Sequence, residues 1–480
     1  MTSRPSTRTS RLRPLAAALA IAIAASTPAA GTPAHASNAR FDFDTVATMS
    51  PKERLAQARE SLWNERPQRP AIVVSSCDDS GPGTLREAYF NALDNDSIDL
   101  TQLSCSTISL TTGALTNSPS AANIFVEGPG KYELTINGNN NGRVFVHNGS
   151  GRLTLYAMTI TGGSYSGYYG GGCVYAYGSV LLESANISGC SLTSFGTDHA
   201  YGGAIYARDR VSLLVAKVTD SSAHAESANS AGGGIWAGNN AQTYLSTLSG
   251  NTVSGDGTHY ARGGAFYSRG DAFVSSSTLS GNSAESGGAI FLFGGATQPM
   301  QILNSTISGN HASGAGGGVF AKYRPLEIDN STITGNTAVF DFGAGLYLYT
   351  DTDIESTIVA GNTSQDGLQA SDLGGNATIT ITGANNLIVA ATLPVPADTI
   401  VAEPMLGPLQ DNGGWTMTHA LLAGSPAIDH GNNIVGFVYD QRLFDDAAPF
   451  GYERVVGANA DIGAFEFGAP DRIFEDGFEF

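Results

Sequence analysis

Seven aromatic residues recur behind a glycine phrase: Tyr175, Tyr206, Trp236, Tyr267, Phe291, Phe320 and Tyr347. The phrases are GGCVYA at Gly171, GGAIYA at Gly202, GGIWA at Gly233, GGAFYS at Gly263, GGAIFL at Gly287, GGVFA at Gly317 and AGLYL at Ala344. Two residues further on, the same register carries Tyr177, Arg208, Arg269, Phe293, Lys322 and Tyr349. Aromatic rings stack on sugar faces, and Arg or Lys grips carboxylates and sulfates, so a stripe of this composition points to an acidic glycan. That reading needs the rings to face outward while Val174, Ile205, Ile235, Phe266, Ile290, Val319 and Leu346 face inward. Two other arrangements compete with it. Gly/Ser-rich loops such as SLTSFGTDHAYGG could fold over the rings as an outer satellite core, or the phase could be opposite, with the rings inside. Exposed apolar stripes of this length are rare unless they bind something.

Cleaving such a polymer asks for more. A lyase needs a base beside a group that neutralises the substrate carboxylate, often calcium held by several acids. Arg208, Arg269 and Lys322 lie two repeats apart from one another, and only Asp209 and Asp271 are acids close in sequence to the first two. That constellation is thin, no cofactor is expected, and calcium has no ligand motif behind it. His199, His224, His259 and His311 fall in separate loops without metal-ligand spacing. His430 in AIDHGNN and the CDDS phrase at Cys77 lie outside the repeats, and no G-x-S-x-G, H-E-x-x-H or P-loop occurs.

The elements that would hold the stripe come from a second repeated phrase. STISGN-like segments place Ile160, Ile187, Val218, Leu248, Leu279, Ile307, Ile333 and Ile358 at a step of one repeat. Period-two alternation before and around these residues means strands, and the change of phase between them means a corner. Three short strands per repeat, with no helical period between them, describe the coils of a parallel β-solenoid, about ten of them over 106–397. Stacking turns each position into a column of like side chains. Asn251, Asn282, Asn310, Asn336 and Asn362 then form a corner ladder, interrupted earlier by Cys190 and Asp220. Thr159, Thr161, Thr247, Ser249, Thr278, Ser280, Thr306, Ser308, Thr332 and Thr334 form a hydroxyl face. It carries almost no ionisable group, and although such a lattice could order water, Thr is the ordinary choice for an exposed strand.

Both ends of a solenoid need covers. TLREAYFNAL, with Thr84 and Glu87 spaced as a capping box and Leu85, Ala88, Tyr89 and Leu93 on one face, reads as a lid helix within an amino-terminal cap, 76–105. A second capping box, Ser50 with Glu53, opens a helix in the segment 37–75.

Arg4, Arg8, Arg11 and Arg13 precede the apolar run Leu15 to Ala25 and an A-x-A site at Ala34 and Ala36, so 1–36 reads as a secretory leader too short to span a bilayer. The chain carries 24 basic and 43 acidic residues, net −19, and loses four arginines with the leader. Such a surface repels nucleic acid and anionic lipid, so any anion-binding face is a local exception. Sixty glycines and only 14% charged residues do not suit a helical bundle. In an exported chain the four cysteines favour disulfides, paired as sequence neighbours Cys77 with Cys105 and Cys173 with Cys190; buried free thiols are the alternative.

The GGA-[IV] and STISGN phrases resemble the repeats of chlamydial polymorphic outer-membrane proteins and, more broadly, right-handed parallel β-helix proteins of the pectate-lyase-like superfamily. CDDSGPGTLREA is similar to the CSLREA-type segment that precedes many such rods. PMLGPLQDNGGWTMTHALLAGSPAIDHGNN and ADIGAFEF, within 398–467, resemble the choice-of-anchor Q domain of bacterial surface proteins. The tail 468–480 resembles a short terminal F-x-D-G-F-E phrase of some exported proteins. The resemblance implies an all-β, right-handed rod, secreted or held at an outer-membrane or cell surface, and it brings no catalytic residue. The expectation is a noncatalytic, adhesin-like or glycan-binding surface protein, with a polysaccharide lyase or glycoside hydrolase as the alternative. A polysaccharide or cell-surface ligand is the expected partner, without nucleic acid and without a transmembrane segment in the mature chain.

Overall fold

The computed structural model describes residues 70–294, 299–340, 343–364, 367–444 and 451–469. The expected leader, the helix opening at Ser50 and the tail from 470 onward lie outside the described residues.

Segments of three to five residues that bury one or two apolar side chains make no stable sheet alone, but coil on coil they share a continuous core. The strands gather into parallel sheets accordingly. Face one has twelve strands, from Ile72–Val73 to Ile381–Thr382, and face two has eleven, from Thr107–Ser109 to Leu387–Ile388. Face three has ten, from Leu115–Thr116 to Leu373–Gly375. One coil runs Val211–Leu214, Lys217–Thr219, Ser222–Ala225 and Ile235–Ala237 before the next begins at Ala241–Tyr244. The chain is an all-β parallel solenoid, its twelve-strand face spanning roughly 50 Å at the usual strand spacing. Three strands per repeat proves one too few. A side sheet of nine strands, Ser164–Ser166 to Gln369–Ala370, follows face two. Its members, such as Ser283–Ala284, are short and built of small residues, so they carry little hydrophobic alternation to read.

Three sharp corners per coil explain the glycine phrases. The corner before face three takes a left-handed residue, Gly232 at φ 70° in one coil and Gly263 at φ 70° in the next. The glycine that follows is needed for space, since a Cβ on Gly233 would land 2.5 Å from the Gly264 carbonyl oxygen. At the corner after face two the left-handed residue is the glycine of SGN, Gly250 or Gly281, rather than the asparagine. Asp220 (φ 52°) stands at that glycine position, and Ser221 holds the asparagine place. The corner between faces one and two is left-handed at non-glycine residues, including Val215 (φ 53°) and Leu245 (φ 52°). That conformation is unfavourable for a β-branched residue. Both side chains are buried against Leu443, Trp415 and Tyr439 of the carboxy-terminal region, a gain that offsets the strain.

Polar ladders run inside the rod. Asn251, Asn282, Asn310 and Asn336 each donate a side-chain N–H to the amide oxygen of the next asparagine, at 2.8 to 3.0 Å, and the last of the ladder, Asn362, donates to Asp372. Each also donates to a backbone carbonyl of the preceding coil, as Asn310 does to Leu279. A parallel hydroxyl ladder links Ser246, Ser277, Ser305, Ser331 and Thr357 through backbone N–H donors. In the coil after Ile333, Ser356 (φ 48°) stands at the left-handed corner that Asn330 (φ 45°) holds one coil earlier, so Val359, not Ile358, aligns with Ile333, and Ile358 turns outward into a cluster with Leu421, Ala427 and Ile462.

The amino-terminal lid is helix α1, Leu85–Asn91, capped by Thr84, whose hydroxyl accepts from the Glu87 N–H while Glu87 accepts from Gly83. Leu85, Ala88 and Tyr89 are buried, but Leu93 lies beyond the helix and is 58% exposed. The CDDSGPGTLREA phrase is a structural clamp. Arg86 pairs with Asp79 at 2.5 Å and donates to the Gly113 and Ala114 carbonyls, while Asp79 accepts from Thr111 and Thr112. Disulfides join Cys77 to Cys105 and Cys173 to Cys190, as the sequence spacing predicts.

The carboxy-terminal region folds back along face two and covers part of the hydroxyl lattice. Thr278 donates to the Met417 carbonyl, Thr306 to the Gln441 amide oxygen, and Thr332 accepts from the Ala464 N–H. Ser308 lies 2.8 Å from the His419 ring. Over these coils the threonines form an internal docking seam instead of an exposed face.

Candidate ligand-binding face

Face three carries the aromatic stripe. Its strands pair in register, Tyr175 on Tyr206, Tyr206 on Trp236, Trp236 on Tyr267, and onward through Phe291 and Phe320 to Tyr347. Val174, Ile205, Ile235, Phe266, Ile290, Val319 and Leu346 are buried in the main core, so the rings point away from it. The rings stack along the rod. Tyr206 lies 4.6 Å from Trp236 with an interplanar angle of 2°, Phe291 4.8 Å from Phe320, and Tyr175 5.2 Å from Tyr206.

Outward does not mean exposed. Tyr206, Trp236, Tyr267 and Phe291 are buried in an outer cluster, covered by the loops that lead into face three. Those loops contribute a three-strand sheet, Ala200–Tyr201, Ser230–Ala231 and Ala261–Arg262. Tyr201 stacks on Trp236 at 5.3 Å, and the Arg262 guanidinium sits 4.6 Å over Phe291. Burial pushes the Tyr206 hydroxyl up to about 12 and raises Tyr267 as well, with Arg262 and Arg269 offsetting part of the latter. The middle of the stripe is thus a satellite core.

The two ends are open. Upstream, Tyr175 is half-buried, Tyr177 is 46% exposed, and the exposed Arg208 stands 4.6 Å over the Tyr177 ring. Downstream, Phe320, Lys322 and Tyr347 are half-buried, while Tyr349 is 39% and Tyr323 60% exposed. Lys322 Nζ lies 4.8 Å from the Tyr323 ring centre and 5.2 Å from that of Tyr349. The Tyr347 and Tyr349 hydroxyls are 3.0 Å apart, and burial, followed by that hydrogen bond, raises the Tyr347 hydroxyl above its ordinary range. Tyr323 holds a left-handed backbone at φ 76°, uncommon for a bulky side chain, and meets Phe293 edge-on at 5.2 Å. Arg269 is exposed on the same face between the two ends.

The two acids near the cations are occupied structurally. Asp271 binds the buried Arg324 at 2.6 Å, and Asp209 accepts from Ser179 and Asn239. Tyr323, Arg143 and Arg262 join the aromatic system without having been singled out from the sequence. Arg143 lies 3.5 Å over Tyr165 and 4.9 Å over Tyr175. Position was the available signal, because Arg143 and Arg262 each stand just ahead of a face-three strand.

No family model, curated protein or solved structure matches this chain. The functional reading therefore rests on the chemistry of the open ends: flat rings beside a cation, on a chain of strongly negative net charge.

Proposed function

We propose that the protein is an exported, noncatalytic surface rod that binds an acidic polysaccharide at the uncovered ends of its aromatic stripe. The observation that carries this reading is the downstream cluster, where Lys322 stands between two exposed tyrosine rings, Tyr323 and Tyr349, beside the half-buried Phe320 and Tyr347. Rings supply stacking for sugar faces, and the lysine supplies a counter-charge for a carboxylate or sulfate. Two disulfides among the described residues fit an oxidising compartment. The region 398–467, similar in sequence to choice-of-anchor Q domains, is in this reading the part that holds the rod at the surface. A glycan array on the mature chain tests the proposal, with absorbance of unsaturated products followed on every acidic polymer that binds. Binding without product is the expected result. Product formation that disappears with Arg269→Ala or Lys322→Ala would replace the noncatalytic rod with a polysaccharide lyase.

A further inference from the structure

A second, chemically different recess lies where the carboxy-terminal region meets the last coils. This cleft of about 590 Å³ is lined by Asn385, Asp429, His430, Asn432, Val455 and Asn459 among others. Its size falls within the range of small-molecule sites.

The lining groups are held in fixed orientations. Asp429 has a left-handed backbone (φ 59°), and its Oδ1 accepts from the N–H groups of Ala458 at 2.7 Å and Asn459 at 3.3 Å. The chain can pass so closely only because residue 457 is glycine; a Cβ there would meet the Asp429 carboxylate. Held by Oδ1, the carboxylate keeps Oδ2 as an acceptor. His430 Nδ1 lies 2.6 Å from the Ile428 carbonyl oxygen. A carbonyl only accepts, so in the neutral ring Nδ1 carries the proton and Nε2 presents a lone pair. The Asn432 backbone is pinned at both groups, its N–H donating to Ser356 Oγ and its carbonyl accepting from Asn330. Its exposed side-chain amide is left to offer a donor and an acceptor. Val455, 43% exposed, gives the cleft an apolar wall.

Two acceptors, one amide and an apolar wall match the vicinal hydroxyls and C–H face of a neutral sugar. The Asp429 carboxylate disfavours an acidic one. We propose that this cleft binds the neutral terminal residue of a saccharide, with its hydroxyls donating to Asp429 and His430 and bonding the Asn432 amide. This site is independent of the aromatic ends of face three, which select for negative charge.

The test is ligand-observed NMR on the full mature chain with the methyl glycosides of glucose, galactose, mannose and N-acetylglucosamine, and with methyl glucuronide. Saturable binding of at least one neutral glycoside is expected, unaffected by added salt, and weakened about tenfold by loss of the Asn432 or His430 hydrogen bonds in Asn432→Ala or His430→Ala. Thermal melts of the variants should match the parent, because neither side chain joins the bonds that pin the loop to the rod. The proposal is overturned if no neutral glycoside binds at tens of millimolar, roughly the weakest affinity a specific small site shows. Binding that survives in the folded double variant, or equal binding of the glucuronide, also overturns it.

Discussion

Asn310 shows how much of this fold rests on single side chains. Its amide donates to the Leu279 carbonyl and to Asn336, and its oxygen accepts from both the backbone and the side chain of Asn282. All of these groups are buried, so truncation leaves several donors and acceptors without partners or water. Asn310→Ala should cost about 3 kcal/mol or more, read as a lower urea midpoint. A variant of unchanged midpoint would show that the ladder contributes nothing. Asp79 makes a second case. Burial opposes its ionisation, but hydrogen bonds from Arg86, Thr112 and Thr111 outweigh burial and hold the carboxyl well below the usual carboxylate range. A carboxyl with a lowered folded-state pKa stabilises the fold above its unfolded value and loses that contribution as pH falls. Asp79→Asn should therefore lower the melting temperature at pH 7, and the gap to the parent should persist down to about pH 4 and narrow only below it, as pH falls toward the lowered folded-state value.

At the scale of elements, the disulfide between Cys173 and Cys190 ties the residue just ahead of a face-three strand to the asparagine place of the following coil. Replacing both cysteines with alanine should cost about 2–4 kcal/mol, seen as an earlier thermal transition in the oxidised protein. Repetition explains what was legible beforehand. Once Ile307 and Ile333 share a column, the register of every strand between them follows, and the aromatic stripe follows with it, whereas its phase stayed open until the structure placed Ile205 and its column in the core. The cover over Trp236 was legible as one of the competing arrangements, on the loop that carries Tyr201, and the structure selects it; the part played by Arg262 was not, because the loops differ in length and their fold-over depends on tertiary packing. Face two was misread for a similar reason. Thr278 and Thr306 look like ordinary exposed strand residues, and only the return of a segment more than a hundred residues away makes them a seam. In the coil after Ile333 the Ser-Thr-Ile letters recur one position early, at Ser356 to Ile358, so matching the phrase picked Ile358 where the unbroken register places its apolar neighbour Val359.

For the whole molecule, two buried groups at different places tilt stability in opposite directions. Burial, opposed by a hydrogen bond to the Ala122 carbonyl, holds the His147 imidazole at about 4, so its contribution is complete above pH 6.5 and is lost as pH falls toward 4. Burial raises the Glu466 carboxyl to about 7 against the pull of Arg454, so its contribution falls as pH rises from 4.5 to about 7. His147→Gln keeps a donor for Ala122 but takes no proton. Melting temperatures between pH 4.5 and 6.5 should then decline with rising pH in His147→Gln and climb in Glu466→Gln, relative to the parent. Equal slopes in all three proteins would mean that neither group is linked to folding.

At this scale the proposal is that the solenoid's aromatic stripe stabilises where it is covered and binds where it is open. Parallel measurement of affinity and melting temperature separates those two roles, using polygalacturonate as the ligand and the variants Trp236→Ala, Tyr349→Ala and Lys322→Ala. Trp236→Ala should lower the melting temperature and keep the parent affinity. Tyr349→Ala and Lys322→Ala should keep the melting temperature and weaken binding, by about tenfold for the loss of one stacking or charge contact. Affinity lost with Trp236 and retained without Tyr349 and Lys322 would contradict the account.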